Sequence, residues 1–418
     1  MLYRSGDTPE NMHVMTSGRR YSFEMGPIRP PSEGSDHSLL IRATRNCPWN
    51  RCAFCRTYRG RRFEYRSVDE IKSDIDAAKA ISDELKAASG EMGMGGRIGN
   101  ELLSRLIRSN PEIYGPEVVG TETANAALQS LVNVANWMAS GARTVFLQDA
   151  NTLIMRTHEL VEVLRYLKET FPSIERITSY GRSHTAARKS VEEMKELHDA
   201  GLSRLHLGME SGSDEVLEFI NKGVTAADHI AGGERIVESG ISLSEYIIPG
   251  LGGRKWSKKH AVETARVLNQ INPDFIRLRS MIVREGTDLY QKLEAGEFEP
   301  LTEDEIIDEL RLFVENLDCH SYLISDHMAN LLWEIEGRLP EERERILGII
   351  KEYQSMPLEQ RLALQLQRRM NSHVAVHGGI EEGLKERFDD ASRAIEAKSP
   401  EAEEKVNSVL AALKQGSM

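Results

Sequence analysis

From residue 126 onward the chain alternates between two kinds of segment, and this alternation restricts the fold more than any other feature. Helical patterns at 126–140, 157–170, 190–200, 213–221, 226–239 and 257–270 are separated by short apolar runs. These runs are TVFLQ (144–148), RITSY (176–180), RLHLG (204–208), LSEYIIP (243–249) and FIRLRSMIV (275–283). Each run is bounded by Gly, Asp or Pro, and several helices end at a glycine such as Gly201 or Gly240. Strict β–α alternation specifies parallel strands with helices outside. Counting SLLIRATR (38–45) as the first strand gives six β/α units. Six are too few for a closed eight-strand barrel, so the expected fold is α/β, a partial (β/α)6 barrel.

Outside that core the patterns change. Residues 67–88 read as a helix that Ser67 caps, with Glu70 completing a capping box. Residues 89–125 begin with the Gly-rich SGEMGMGGRIGN and read as an insertion or mobile lid. Past residue 300 no strand pattern is evident. Segments 302–371 and 380–414 look helical, the latter as a hairpin with Leu384, Phe388 and Ile395 on one side. The expected organisation is an N-terminal extension (1–37), the barrel (38–300, with 89–125 inserted) and a C-terminal helical region (301–418).

The chemistry is concentrated where the first strand ends. Three of the four cysteines, Cys47, Cys52 and Cys55, form C-x4-C-x2-C. Three thiolates leave an all-cysteine tetrahedral site incomplete, but they can hold three irons of a [4Fe–4S] cube with the fourth iron open. A zinc site completed by His37 is the alternative on spacing alone. Cys319 reads as a small buried hydrophobe in a helical stretch, and HSYLISDH beside it as a polar patch on helices or a substrate-facing group. Four cysteines in 418 residues make no disulfide framework. Arg51, Arg56, Arg59, Arg61, Arg62 and Arg66 crowd the cysteines, either as a solvated loop or as an anion clamp. The net charge of −12 argues against a general nucleic-acid binder. No apolar run is long enough for a membrane span and the N-terminus has no secretory signal, so the expectation is a cytoplasmic protein.

A three-cysteine loop after the first strand of a β/α array, with the aromatic Phe54 just before the last cysteine, resembles the radical S-adenosylmethionine (radical SAM) superfamily. The usual motif there is C-x3-C-x2-C; Pro48-Trp49-Asn50-Arg51 makes this loop one residue longer and suggests an atypical subgroup. Further segments match the superfamily's binding motifs in order. The turn Asp149-Ala150-Asn151 replaces a Gly-Gly-Glu-like turn that holds the methionine amino group. Ser179 and Arg182 fall where ribose or carboxylate is contacted. Gly208–Gly223, of the form GxESGSDxVLxxINKG, is similar to oxygen-independent coproporphyrinogen oxidase-like iron–sulfur oxidoreductases, and implies that Glu210 and Ser211 meet the ribose. Ile248, Pro249, Met281 and Ile282 would cover the adenine.

The resemblance spans about residues 38–290. It implies a [4Fe–4S] cluster, S-adenosylmethionine, an oxidoreductase-like anaerobic activity on a small-molecule or cofactor-precursor substrate, and an electron donor such as flavodoxin or ferredoxin. The lack of further cysteines disfavours members with auxiliary clusters. Each segment also has a plain reading. Asp149 or Asn151 would cap the next helix, Lys222-Gly223 would end one, and Met209 and Met281 would fill the core. The other class left open is a non-enzymatic iron–sulfur or zinc protein acting as electron carrier or regulator.

Overall fold

The computed structural model describes residues 15–16, 19–31, 37–114, 120–328 and 330–416. Much of the N-terminal extension (1–14, 17–18, 32–36) and part of the insertion (115–119) lie outside the described residues.

Strands β1 (Met15–Thr16) and β2 (Arg19–Arg20) pair antiparallel. They are followed by β3 (Leu39–Arg42), β4 (Thr44–Arg45) and β5 (Glu64–Tyr65). Helix α1 (Val68–Glu91) starts at the expected capping box: Glu70 N–H donates to Ser67 Oγ at 3.2 Å, and Ser67 N–H to Glu70 Oε2 at 2.9 Å. The inserted 89–125 segment is largely helical where described. It contains the end of α1, then α2 (Asn100–Ser109), α3 (Pro111–Tyr114) and the start of α4 (Glu122–Ala139).

The alternation then runs as read. Its elements are β6 (Thr144–Gln148), α5 (Thr157–Thr170), β7 (Arg176–Gly181), α6 (Ser183–Ala186), α7 (Val191–Asp199), β8 (Leu202–Glu210), α8 (Asp214–Phe219), α9 (Ala226–Glu238), β9 (Ser242–Ile247), α10 (Gly253–Ile271) and β10 (Phe275–Leu278). Beyond these come α11 (Asp288–Glu294), α12 (Glu303–Asn316), β11 (Tyr322–Ile324), β12 (Gly337–Arg338), α13 (Arg343–Ser355), α14 (Leu358–His377), α15 (Glu382–Glu396) and α16 (Ala402–Gly416).

The fold is α/β, with eight strands, β3 and β6 to β12, in a mostly parallel sheet. Two of these strands correct the expectation that strands stop by residue 300. Inside HSYLISDH, β11 pairs parallel with β10 (Phe275↔Tyr322, Arg277↔Ile324), and β12 pairs antiparallel with β11. Three and two residues are too short to carry a period, and polar neighbours flank them. Strand β10 also stops at Leu278, so Met281 and Ile282 lie beyond it. Cys319 is buried as expected, but in the turn after α12 rather than in a helix.

The chain divides into two compact units. The first comprises 1–48, 62–181 and 192–205. In it β3, β6 and β7 are parallel neighbours. All five residues of β6 are buried, as befits a strand covered on both faces. The second comprises 49–61, 182–191 and 206–418. There β9, β10 and β11 run parallel. The expected helical hairpin is α15–α16, whose Ile395, Leu384 and Phe388 pack with Leu362, Leu366 and Leu410.

Candidate active site

In the first unit, Cys47 follows directly on β3 and β4. The turn before it is tied down by a carboxylate from the end of β6. Asp149 is fully buried, and its Oδ2 accepts from Arg42 Nε at 2.9 Å, Arg42 Nη2 at 2.6 Å and the Asn46 N–H at 3.2 Å. Arg42 also donates to Glu24 Oε1 at 2.8 Å, and Arg45 grips both oxygens of Glu24 (2.8 and 2.7 Å) and Glu70 at 3.0 Å. Burial pushes the Glu24 carboxyl up, but its bond to Arg45 and the charges of Arg66, Arg45 and Arg42 outweigh this and leave it below its ordinary value. A Cβ on Gly26 would lie 2.5 Å from Asp149 Oδ1, so only glycine admits this packing. Arg66, one of the arginines near the cysteines, is buried against Asp74 at 2.6 Å and belongs to this scaffold.

Asp149 and Asn151 were also open to reading as helix caps. Asn151 does occupy the N-cap position of a 3-10 turn (Thr152–Ile154), without a side-chain cap bond, and α5 is preceded by Arg156. Asn151 is therefore an N-cap by position, with no capping bond from its side chain. Ser179 Oγ donates to the Leu147 carbonyl at 2.9 Å. Ala150 is half-buried in the same turn as Asp149.

In the second unit, residues 49–61 form a turn carrying Cys52 and Cys55, both half-buried. Cys55 N–H donates to the Cys52 carbonyl at 3.1 Å, Ala53 N–H to Ile220 O at 2.8 Å, and Leu289 N–H to Ala53 O at 2.9 Å. Phe54 packs on a cluster that includes Val216, Ile220, Leu251 and Met281. The loop between the first two cysteines is anchored through Trp49. The Trp49 indole N–H donates to Asn221 O at 2.7 Å, and its ring lies where a Cβ on Gly223 would stand, 2.3 Å away. Gly223 has φ +68°, so glycine is required there twice over. Arg182 lies over the same ring at 5.2 Å and donates to the Lys222 carbonyl at 2.7 Å.

Lys222 is not an ordinary helix end. It is buried, its Nζ donates to Glu210 Oε1 at 2.9 Å, and it faces the Phe54 ring at 5.8 Å. Burial pulls its pKa down, but the charges of Glu210 and Cys52 more than reverse this, so the ammonium is held above its ordinary range.

The remaining motif residues are locked by backbone geometry. Glu210 ends β8 with φ +66°. Its carbonyl accepts from Ile248 N–H at 3.1 Å, and the Pro249 carbonyl accepts from Met281 N–H at 2.8 Å. These bonds bring the ends of β8, β9 and β10 into one rim, with Ile282 half-buried beside it. Ser211 Oγ bonds His260 Nδ1 at 2.8 Å, and Gly212 N–H donates to Thr264 Oγ1 at 2.8 Å. Ser211 thus holds the turn on α10.

Two buried groups were not singled out from sequence. Glu245 on β9 has both carboxylate oxygens without a hydrogen-bond partner. Burial and the charge of Glu210 push its pKa well above the ordinary carboxylate value. His229 Nδ1 bonds Ser183 Oγ at 2.7 Å, while burial, Lys222 and Arg182 lower its pKa to about 3. A carboxylate inside the apolar run LSEYII was the available signal for the first.

Among the described residues, no group of three or more His, Cys, Asp or Glu side chains is drawn together as a metal centre. The donor chemistry nevertheless fits an iron–sulfur cluster. The three cysteines are thiols rather than disulfides, and Cys52 has an ammonium acting on it.

Comparison with known proteins agrees with this chemistry. The family model described as the radical SAM superfamily matches residues 41–265, just over half of the chain. A tRNA uridine(34) acetyltransferase of Methanocaldococcus jannaschii is 29% identical over 128 residues, 30% of this chain and 23% of that protein. The heme chaperone HemW of Bacillus subtilis is 20% identical over 48% of this chain and 52% of that one. The chain therefore spans about a quarter and about half of these relatives' lengths. The solved structure of coproporphyrinogen III oxidase (HemN) from Escherichia coli, described as a radical SAM enzyme, aligns at 16% identity and a TM-score of 0.35, over 43% of this chain and 41% of that one. By the extent of the family match, and with its cysteine turn inside the matched region, the chain belongs to the radical SAM superfamily.

Proposed function

We propose that this chain is a radical SAM enzyme acting on a small-molecule or cofactor-precursor substrate. The family's cofactors are a [4Fe–4S] cluster and S-adenosylmethionine. When bound, the pair supplies one-electron cleavage of a carbon–sulfur bond, yielding methionine and a 5′-deoxyadenosyl radical that takes a hydrogen atom from substrate; a donor such as flavodoxin or ferredoxin provides the electron.

The chain's own residues do the holding and orienting. Cys47, Cys52 and Cys55 would ligate the cluster. Lys222 would fix Glu210 toward the ribose. The turn Asp149-Ala150-Asn151, with Ser179 and Arg182, would receive the methionine end. Ile248, Pro249, Met281 and Ile282 would form an apolar cover for the adenine. The segment 89–125 would act as a lid. The observation that carries the proposal is the Trp49-anchored cysteine turn, with Lys222 facing its Phe54 ring at 5.8 Å and bonded to Glu210 at 2.9 Å. The acidic chain, net −12, favours a small substrate over a nucleic acid.

Anaerobic reconstitution is the test. The expected result is about four irons per chain, an EPR signal altered by S-adenosylmethionine, and dithionite-dependent 5′-deoxyadenosine. Cys52→Ala should lose all three. Zinc without iron, or a full cluster with cofactor cleavage in Cys52→Ala, would overturn the proposal.

A further inference from the structure

Within the second unit, a cavity of about 270 Å³ lies between the strand-end rim and the C-terminal helices. Its walls are Met281, Val283 and Leu293 from the segment after β10, Leu301 and Ile306 at the start of α12, and Leu410 on α16. Met281, Val283 and Leu293 also belong to the apolar cluster that contains Ala53 and Phe54 of the cysteine turn. The cavity and the packing of that turn therefore share side chains.

Charged bonds fix the frame around this space. Gly250 N–H donates to Glu309 Oε1 at 2.6 Å, tying the loop after β9 to α12. Glu303, in the first turn of α12, is 2% exposed, and both its oxygens accept from Arg369 Nη2 of α14 at 2.7 Å. Beside it, Asp304 accepts from Gln365 Nε2 at 2.8 Å and from Arg361 Nε at 3.1 Å, both on α14. Helix α12 is thus anchored to the rim on one side and to α14 on the other. Protein interiors ordinarily close gaps larger than a water molecule, so a gap held between anchored elements is a built feature.

The lining selects a ligand class. Glu303 is the one ionisable group among the described residues around the cavity, and Arg369 already supplies its counter-charge. A charged ligand would lose hydration here without gaining a partner, whereas the walls favour an apolar body. Thr302 spends its hydroxyl on the Glu305 N–H, at 3.3 Å, as the cap of α12. Asn407 on α16 is half-buried, and its amide has no hydrogen-bond partner among the described residues. That amide offers both a donor and an acceptor.

We propose that this cavity binds an uncharged, largely apolar part of the substrate, with Asn407 as its polar contact. This rests on the radical SAM reading and deepens it by giving the substrate a chemical class. Apolar cavities carrying a few placed polar groups are the usual form of small-molecule sites.

The test uses the full chain, reconstituted and saturated with S-adenosylmethionine, so that the cofactor's own adenine site is filled throughout. The probes are 2-naphthol, neutral with one hydroxyl, and 2-naphthoate, its anionic counterpart, in calorimetric titrations. The naphthol should bind saturably, and the naphthoate about tenfold or more weakly. Ala411→Trp sets a bulky ring on an exposed lining position and should weaken naphthol binding about tenfold or more. Asn407→Leu should weaken it about threefold to tenfold. Glu403→Trp, exposed on the same helix but outside the lining, should leave it unchanged. All three variants should keep wild-type iron content and cofactor affinity. No saturable naphthol binding by wild type, equal binding by Ala411→Trp, or tighter binding of the naphthoate overturns the site. Loss of cofactor affinity in Ala411→Trp also overturns it, because the cavity would then belong to the cofactor. Failure of the wild type to cleave the cofactor would instead remove the enzymatic reading beneath it.

Discussion

Asp149 and Glu210 both end a strand, and both were expected to meet the cofactor, yet their surroundings differ. Asp149 is fully buried, with one oxygen accepting three donors from Arg42 and Asn46. Glu210 keeps 13% of its side chain exposed and accepts from Lys222 at a rim where three strand ends meet. The first carboxylate braces the approach to Cys47. The second is held in place yet still presented. Position at a strand end therefore does not distinguish a fully enclosed carboxylate from a partly exposed one, whereas the donors around it do.

Four changes would break or sharpen that contrast. Asp149→Ala removes the buried one of Arg42's two counter-charges, leaving Glu24, and should cost about 3 kcal/mol of unfolding free energy in urea titrations. A loss under about 1 kcal/mol would remove the brace. Gly223→Ala sets a Cβ into the Trp49 ring at a positive φ, and should cost about 1–3 kcal/mol while altering tryptophan fluorescence. Glu210→Gln preserves shape and should cost only about 1–2 kcal/mol of stability, but weaken S-adenosylmethionine binding about tenfold. Unchanged affinity would return Glu210 to the scaffold.

The smallest effect is in pH, where the two units should part company. The folded pKa of Glu24 is lowered, so its contribution is present above the ordinary value of 4.5 and is lost as pH falls below it. The folded pKa of Lys222 is raised, so its contribution is present below 10.5 and is lost as pH rises past it. Hydrogen exchange should report acid loosening around β3 and alkaline loosening around the Lys222 turn. Loosening of both at the same end of the scale would contradict the assignment.

The six alternating strands were legible because each is a short apolar run between breakers, and α1 because Ser67 and Glu70 cap it locally. Strands β11 and β12 were not, since three and two residues owe their form to pairing with neighbours distant in sequence. The Asp149–Arg42 brace joins residues 107 apart, beyond any local pattern. For the proposed site, residue type and order nominate the cysteines and the motif containing Glu210. The burial of Lys222 and the use of Trp49 were not, because both depend on tertiary contact.

Trp49 carries a consequence for how such a chain can change over time. Its indole fills the space a side chain at position 223 would need, so the loop between the first two cysteines and the Asn221-Lys222-Gly223 turn are one inherited unit. A chain that shortened the loop and lost the tryptophan would release position 223 from glycine on steric grounds, while a chain that kept the tryptophan would not tolerate its replacement. The spacing of the cysteines therefore bears on a glycine some 170 residues downstream, although its positive φ would still favour glycine there if the tryptophan were lost.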